Sequence, residues 1–225
     1  MAGHRRLTLM VFGAHTYLGQ EVARFGRAMG HRMIACTDKE SLPKPEHPWM
    51  HGVHWVTNPE PDLHIWPDGP PAALLYCDTT LFDGQHRSFQ EILVQRPGRL
   101  VNKALPLRPP PRFIFRSTIP QPFLPSSFTT SSRRIEDRIA DSTLPFAVLR
   151  FPLLYGPDRP DSVAARVVMS AVSRLPFISS IQAFPISMRV ETAALAMLRA
   201  ALEPSISGFL EPEEIARIGD VMIAQ

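Results

Sequence analysis

A glycine-bounded loop is the part of this sequence best suited to chemistry. It reads Gly13-Ala14-His15-Thr16-Tyr17-Leu18-Gly19 and follows a short apolar run. Glycines in such a turn let backbone N–H groups approach a pyrophosphate, and the amino end of the next helix favours the same negative charge. Thr16 stands at the middle position, where closeness to a phosphate favours glycine. Its hydroxyl could bind a phosphate, or its methyl group could obstruct one. The loop predicts a nucleotide site; the alternative is a glycine-capped turn without a ligand.

Polar residues follow three further predicted strands at the same edge of the sheet. Thr37-Asp38-Lys39 comes after the second strand, where an acidic side chain accepts hydrogen bonds from a ribose and repels a 2′-phosphate. Lys39 has the opposite preference, so NAD(H) and NADP(H) both stay open. Cys77 and Asp78 end the fourth strand, and Ser117 ends the fifth. We expect these residues beside the cofactor, with a capping or solvent-facing carboxylate as the alternative for Asp78.

Short apolar runs separated by helical patterns must position these residues. Runs typical of buried parallel strands lie at 7–12, 33–36, 53–56, 73–77, 112–116 and 146–150. Helices fit 18–29, closed by Gly30, and also 83–94, 131–141, 163–173 and 191–203. The first strand, glycine turn, helix and second strand form a βαβ unit, whose crossover is almost always right-handed.

The alternation of strands and helices predicts an α/β fold of the Rossmann type, with a doubly wound parallel sheet and helices on both faces. The sequence shows no internal repeat and no linker long enough to divide it. We therefore predict one domain over residues 1–225, with a small substrate-side portion from about residue 151. The proline tract 106–111 predicts an extended connector.

Composition disfavours several classes of function. The formal charge is only +3 and the basic residues are scattered, whereas nucleic-acid binders concentrate theirs on one face. No apolar run is long enough to cross a bilayer. The histidines lack the spacing of metal ligands, so we expect no metal. Cys36 and Cys77 are predicted to end strands on either side of the first strand, too far apart for a disulfide.

Three blocks resemble the atypical short-chain dehydrogenase/reductase family, which is NmrA-like and binds NAD(P) on a Rossmann domain. Val11 to Gly19 is similar to the family's V-F-G-A-T-G-F-L-G, with its three central residues departing. Leu144 to Pro157 resembles the strand leading into L-R-P-x-x-x-Y-G-P and is the more specific match. Val190 to Ala194, continued by Gly208-Phe209, resembles the family's late helix and the strand after it. The resemblance spans nearly the whole chain.

The same resemblance indicates that the reaction chemistry has been lost. Family members that reduce or oxidise carbonyls use a Tyr-x-x-x-Lys pair on the helix after strand 5. Counting along the chain places Phe128 at the tyrosine position and Ser132 at the lysine position. Phenylalanine has no proton to transfer, and serine has no charge with which to lower a neighbour's pKa. Ser117 remains at the position of the family's serine, but one residue of the three cannot carry out the reaction. We therefore predict no catalytic residues.

Within the family, the sequence is most similar to a mitochondrial branch. That branch contains a nucleotide-binding accessory subunit of respiratory complex I and a small protein associated with coenzyme Q biosynthesis. The segments carrying this resemblance are Phe25 to Gly30, Trp49 to Trp55, and Tyr155 to Arg159. It implies a mitochondrial accessory subunit on the matrix side, with other subunits of a large assembly as partners. It also implies NAD(H) or NADP(H) retained as a structural ligand.

Three other functions stay open at this point. A role in coenzyme Q biosynthesis suits a chain that ends near where that protein ends. An NmrA-type sensor would bind the dinucleotide without turning it over. An active reductase would need an unusual acid, and Tyr155 is the nearest tyrosine to the expected pocket.

Overall fold

Parallel strands form the centre of the molecule. The computed structural model describes residues 6–37, 47–57, 69–78, 90–121, 126–156 and 187–220. The strands in these ranges are β1 (Thr8–Phe12), β2 (Arg32–Cys36), β3 (His54–Val56), β4 (Ala73–Tyr76), β5 (Arg112–Thr118), β6 (Phe146–Phe151), β7 (Leu154–Tyr155), β8 (Met188–Arg189) and β9 (Gly208–Leu210).

Helices cover the two faces of the sheet. They are α1 (Tyr17–Ala28), α2 (Arg96–Ala104), α3 (Ser126–Ala140), α4 (Val190–Leu202) and α5 (Pro212–Asp220). A 3₁₀ turn at Pro48–Gly52 precedes β3, and a π-helical turn at Glu91–Gln95 leads into α2.

The order of the strands establishes the predicted fold. Within the described residues, seven strands form one sheet in the order β3-β2-β1-β4-β5-β6-β9, and every neighbouring pair is parallel. β7 and β8 pair with each other outside it. The chain builds outward from β1 to β3 and then returns to the other side of β1 with β4. This is the doubly wound Rossmann arrangement, and its reversal opens a crevice beyond the carboxyl ends of β1 and β4.

Successive side chains of each strand point to opposite faces of the sheet, and both faces are buried. Leu9 and Val11 of β1 pack in the same core as α1 and α4, whereas Met10 and Phe12 pack in the core that holds residues of α2 and α3. Because both faces are covered, the strands read as nearly continuous apolar runs. This is why the sequence located the six predicted strands to within two residues at each end.

Helix boundaries were less predictable than strands. The helix expected to end at residue 94 is wrong at that end, because the helical path continues through α2 to Ala104. Pro97 lies in the first turn of α2, where a missing backbone N–H costs little. α3 begins at Ser126 rather than Ser131, and α5 was not predicted. The helix expected over 163–173, and the first part of that over 83–94, lie outside the described residues.

An arginine at the start of β5 ties the sheet to the end of α4. The guanidinium of Arg112 donates hydrogen bonds to the carbonyl oxygens of Ala200 at 3.0 Å, Ile206 at 2.6 Å and Pro204 at 3.4 Å. The last carbonyls of a helix have no partners within the helix, so Arg112 satisfies groups that would otherwise need water.

Replacing Arg112 with alanine is expected to lower the free energy of unfolding by about 2 kcal/mol, because hydrogen bonds from a charged donor are lost at a partly buried site. Urea denaturation of the full chain measures this. Arg108→Ala is the matched control. Arg108 is exposed and its guanidinium bonds the carbonyls of Leu105 and Leu107 in its own turn, so the expected change is below about 0.5 kcal/mol. Equal effects of the two substitutions would contradict the capping role of Arg112.

Candidate functional site

The predicted nucleotide loop is a tight turn that requires glycine at both ends. Gly13 has φ +73°, and a β-carbon there would lie 2.6 Å from the backbone of Asp78. A β-carbon on Gly19 would lie 2.3 Å from the carbonyl oxygen of Gly13. The Thr16 N–H closes the turn by donating to that oxygen at 2.9 Å. Both glycines are therefore required by the tightness of the turn itself, which brings its backbone against Asp78 and against its own first carbonyl.

Thr16 is the N-cap of α1. Its hydroxyl donates to the Gly13 carbonyl oxygen at 2.8 Å and accepts from the Gly19 N–H at 3.1 Å. The residue is buried. The hydroxyl is thus used within the loop, where it satisfies one of the amino-terminal N–H groups of the helix.

Asp78 joins the loop to α2 through a buried ion pair. Its Oδ2 atom lies 3.2 Å from Nη1 of Arg96, and its Oδ1 atom lies 3.7 Å from Nε2 of His15. All three side chains are less than one tenth exposed. A solvent-facing role for this carboxylate is therefore wrong: the loop after β1 and the amino end of α2 enclose it.

Tyr17 connects the nucleotide loop to the segment after β6. It is partly buried against the core on the α1 face. Its hydroxyl lies so close to Gly156 that a β-carbon there would be 1.9 Å from it. Glycine at 156 thus makes room for the tyrosine, and the two segments singled out by the family resemblance contact each other.

Of the remaining residues predicted to bind the cofactor, some are buried at the carboxyl ends of the strands and others lie outside the described residues. Thr37 is buried and its N–H donates to the carbonyl oxygen of Val56 at 2.9 Å. Cys77 is buried beside the loop, and its carbonyl oxygen lies 3.4 Å from Oγ1 of Thr16. Asp38 and Lys39 lie outside the described residues. The structure therefore brings Gly13 to Gly19, Cys77 and Asp78 together, with Thr37 across β1.

The two cysteines lie on opposite sides of β1, as the sequence predicted, and both are free and buried. Burial raises the pKa of Cys77 to about 12 and also raises that of Cys36. Because the thiolate is the reactive form, neither thiol should react with an aromatic disulfide reagent in the folded protein at about pH 8. Both should react once urea unfolds the chain. Reaction of either thiol at a rate close to that of free cysteine would contradict this burial.

Ser117, which stands where the resembling family has a catalytic serine, lies in an ionic network around Glu136. Ser117 donates a short hydrogen bond to Oε1 of Glu136, which also lies 2.5 Å from Nη1 of Arg133. Oε2 of Glu136 accepts from Nη2 of Arg150 at 2.7 Å and from its Nε at 3.1 Å. Arg150 continues to Glu211 at 2.6 Å. The serine hydroxyl is thus committed to a carboxylate on α3.

Electrostatics keep this carboxylate ionised. Burial by itself would raise the pKa of Glu136, but hydrogen bonds from Arg133, Arg150 and Ser117 outweigh burial and lower it below its ordinary value. Glu136 is 1% exposed, whereas the two arginines are partly exposed. The network joins β5, α3 and β6 around one negative charge.

The residues predicted at the Tyr and Lys positions lie on the same helix as this glutamate. Phe128 and Ser132 are both buried on α3, and Ser132 is one turn before Glu136. Neither supplies an acid, a base or a cation to the carboxyl end of β5. At the carboxyl end of β5, the described residues form an ion network centred on Glu136.

Sequence reasoning missed three of the residues that shape this site. Arg96, Glu136 and Arg150 were not predicted as site residues. Arg150 stands in the block that resembles L-R-P-x-x-x-Y-G-P, and Glu136 is four residues after Ser132. An arginine at the end of a buried strand needs a buried partner, so those positions could have suggested the ion pair. Nothing comparable marks Arg96.

Two findings on the described residues bear on other functions. In the described ranges, no group of His, Cys, Asp and Glu side chains is arranged to hold a metal ion. Among the helices described, none is long and apolar enough to cross a membrane.

Comparison with known proteins places the fold but gives no close relative. No protein-family model matches the sequence, and no curated protein matches it either. Solved structures match over nearly the whole chain at low identity. A protein of Bacillus halodurans described as an NAD-dependent epimerase/dehydratase superimposes with a TM-score of 0.66 at 14% identity, over 96% of this chain and 99% of its own.

Two further neighbours show the same relationship. The Bordetella bronchiseptica enzyme WbmG, solved in complex with NAD, has a TM-score of 0.64 at 14% identity, covering 100% of this chain and 79% of its own. The UDP-N-acetylglucosamine 4-epimerase of Bacillus cereus has a TM-score of 0.62 at 16% identity, covering 94% and 83%. At these identities the likeness establishes a shared Rossmann fold.

Proposed function

We propose that this protein is a catalytically inactive Rossmann subunit of a mitochondrial assembly, with respiratory complex I as the assembly to test first. We further propose that it binds NAD(H) or NADP(H) as a structural ligand. The observation that carries the first proposal is the ion network around the buried Glu136, which engages Ser117 at the position where the resembling family has its serine. The family resemblance in the sequence supplies the mitochondrial setting.

The chemistry of the site supports a loss of catalysis. Hydride transfer in the resembling family needs a tyrosine that moves a proton and a lysine that lowers its pKa. Phe128 and Ser132 stand at those positions and are buried. The hydroxyl of Ser117 bonds Glu136, so it is engaged inside the fold rather than presented to a substrate. A chain built this way contributes shape and binding rather than turnover.

The glycine loop supports the retained cofactor. Gly13 and Gly19 permit a tight turn in which a β-carbon at either position would overlap neighbouring backbone, and α1 begins directly after this turn. The first N–H groups of a helix lack partners within it and favour an anion. Several structural neighbours with this fold are solved with NAD bound. A bound dinucleotide would stabilise the folded chain by mass action without any hydride transfer.

Native gel separation of mitochondrial membranes, followed by mass spectrometry, tests the assembly. The expected result is migration of this chain with complex I. Migration with a different large particle would keep the subunit role and change its host. A free species at the chain's own mass of 25.2 kDa would overturn the subunit proposal and favour the coenzyme Q or sensor functions.

Denaturing the purified protein and analysing the supernatant tests the ligand. We expect a nicotinamide dinucleotide in amounts approaching one per chain. Its absence, together with no rise in melting temperature when NADH or NADPH is added, would refute the structural cofactor. Steady turnover of a carbonyl substrate with either dinucleotide would refute the inactive reading of the site.

A further inference from the structure

The crevice beyond β1 and β4 is bridged by the protein's own side chains. On a doubly wound sheet, a dinucleotide lies outside the carboxyl ends of the strands at the point where the strand order reverses. In this chain the loop after β1 and Asp78 after β4 both border that crevice, and their backbones pack against each other at Gly13. The side chain of His15 extends from the loop to Asp78, with Nε2 3.7 Å from Oδ1 of Asp78.

Charges from three elements meet at this bridge. Arg96 from α2 holds the other oxygen of Asp78 at 3.2 Å, and the guanidinium of Arg116 on β5 reaches the neighbouring Cys77 carbonyl at 3.4 Å. The His15, Asp78 and Arg96 side chains are 7%, 5% and 9% exposed, so little solvent screens their interactions.

We propose that His15 and Asp78, anchored by Arg96, form a latch that closes the dinucleotide crevice. This inference rests on the proposed binding of NAD(H) or NADP(H) at the loop. A ligand crossing the crevice has to separate His15 from Asp78 before its phosphates can reach the amino end of α1. The observed association constant is then that of the open crevice multiplied by the fraction of molecules that are open.

The contacts around the latch identify which part moves. Asp78 is fixed because its backbone packs directly against Gly13, and Arg96 is held by its 3.2 Å hydrogen bond to Asp78, whereas the His15 contact with Asp78 is longer, at 3.7 Å. His15 belongs to the loop, and a change of its side-chain rotamer leaves the Gly13 turn and the Thr16 cap unchanged. We therefore assign the movement to the side chain of His15, which contacts Asp78 when the crevice is closed.

Titration of the full chain with NADH, followed by nicotinamide fluorescence, tests the latch. His15→Ala removes the moving part, and we expect it to bind NADH at least about tenfold more tightly than the original chain, because more of the protein is open. Asp78→Asn removes the carboxylate that His15 contacts, and we expect a change in the same direction. His51→Ala is the matched control, since His51 is exposed in the 3₁₀ turn, away from the crevice.

The outcomes separate the latch from the binding proposal. If the original chain binds NADH and His15→Ala binds it equally or more weakly, the latch is wrong, while the structural cofactor stands. If no variant binds NADH or NADPH, both fail. Thermal unfolding reports whether each variant is folded. Should Asp78→Asn not fold, His15→Thr decides, because threonine also removes the imidazole from the crevice.

Discussion

Replacing Glu136 with glutamine is expected to lower the free energy of unfolding at neutral pH by about 3 kcal/mol. Removing one partner of a buried ion pair leaves the others uncompensated, at a cost of about 3–5 kcal/mol. We place the effect at the low end because Arg133 and Arg150 are partly exposed and water screens them. Urea denaturation measures the change. Glu211→Gln is the matched control. It removes the exposed carboxylate that also pairs with Arg150, and should cost below about 1 kcal/mol.

The same carboxylate predicts the direction of a pH dependence. The pKa of Glu136 lies below its ordinary value of 4.5 in the folded chain. Its contribution to stability is therefore fully present above about pH 4.5 and is lost as the pH falls through the lower, folded value. The stability difference between the original chain and Glu136→Gln should shrink below that pH. A difference that stays constant down to about pH 3 would show that Glu136 acts through shape rather than charge.

Replacing Gly13 with alanine is expected to destabilise the chain by about 4 kcal/mol. The new β-carbon would lie 2.6 Å from the backbone of Asp78, which cannot move aside as a flexible side chain could. The left-handed backbone adds about 1–2 kcal/mol of strain for any residue with a β-carbon. Because the overlap separates the ends of β1 and β4, NADH binding should be lost at the same time. Thermal unfolding and fluorescence titration measure the two effects.

Gly30 provides the control for that substitution. It has φ +86°, and a β-carbon there would meet nothing within 4 Å. Gly30→Ala should therefore show the backbone strain alone, about 1 kcal/mol, and leave NADH binding intact. If the two glycines cost the same, the close approach of Gly13 to Asp78 contributes nothing to stability and the tight loop is not needed for the fold.

The ion network around Glu136 gives α3 a structural attachment to the sheet. Lysine at position 132 would bring a cation one turn from Glu136, which serves the two arginines instead. With Ser117 also bonded to Glu136, the helix after β5 is held to the sheet by these polar contacts.

How much of the candidate site could be predicted differs between backbone and side chains. The glycine loop was located correctly, because a tight turn between a buried strand and a helix needs glycine at defined positions. The roles of Thr16 and Asp78 were not settled by the sequence. Each depends on which polar atoms lie within about 3 Å, and the Asp78 partner is 18 residues away in a separate helix.

The sequence alone therefore determined the class of fold, the six strands predicted from apolar runs and the position of the glycine loop. These follow from local periodicity, from the conformational needs of glycine and from residue identity, all of which are properties of short segments. Tertiary structure decided that His15 meets Asp78 across the crevice and that Ser117, Arg133 and Arg150 converge on Glu136. Burial is the physical reason: a charge removed from water must find its partners in space, and the order of residues along the chain does not specify which ones they are.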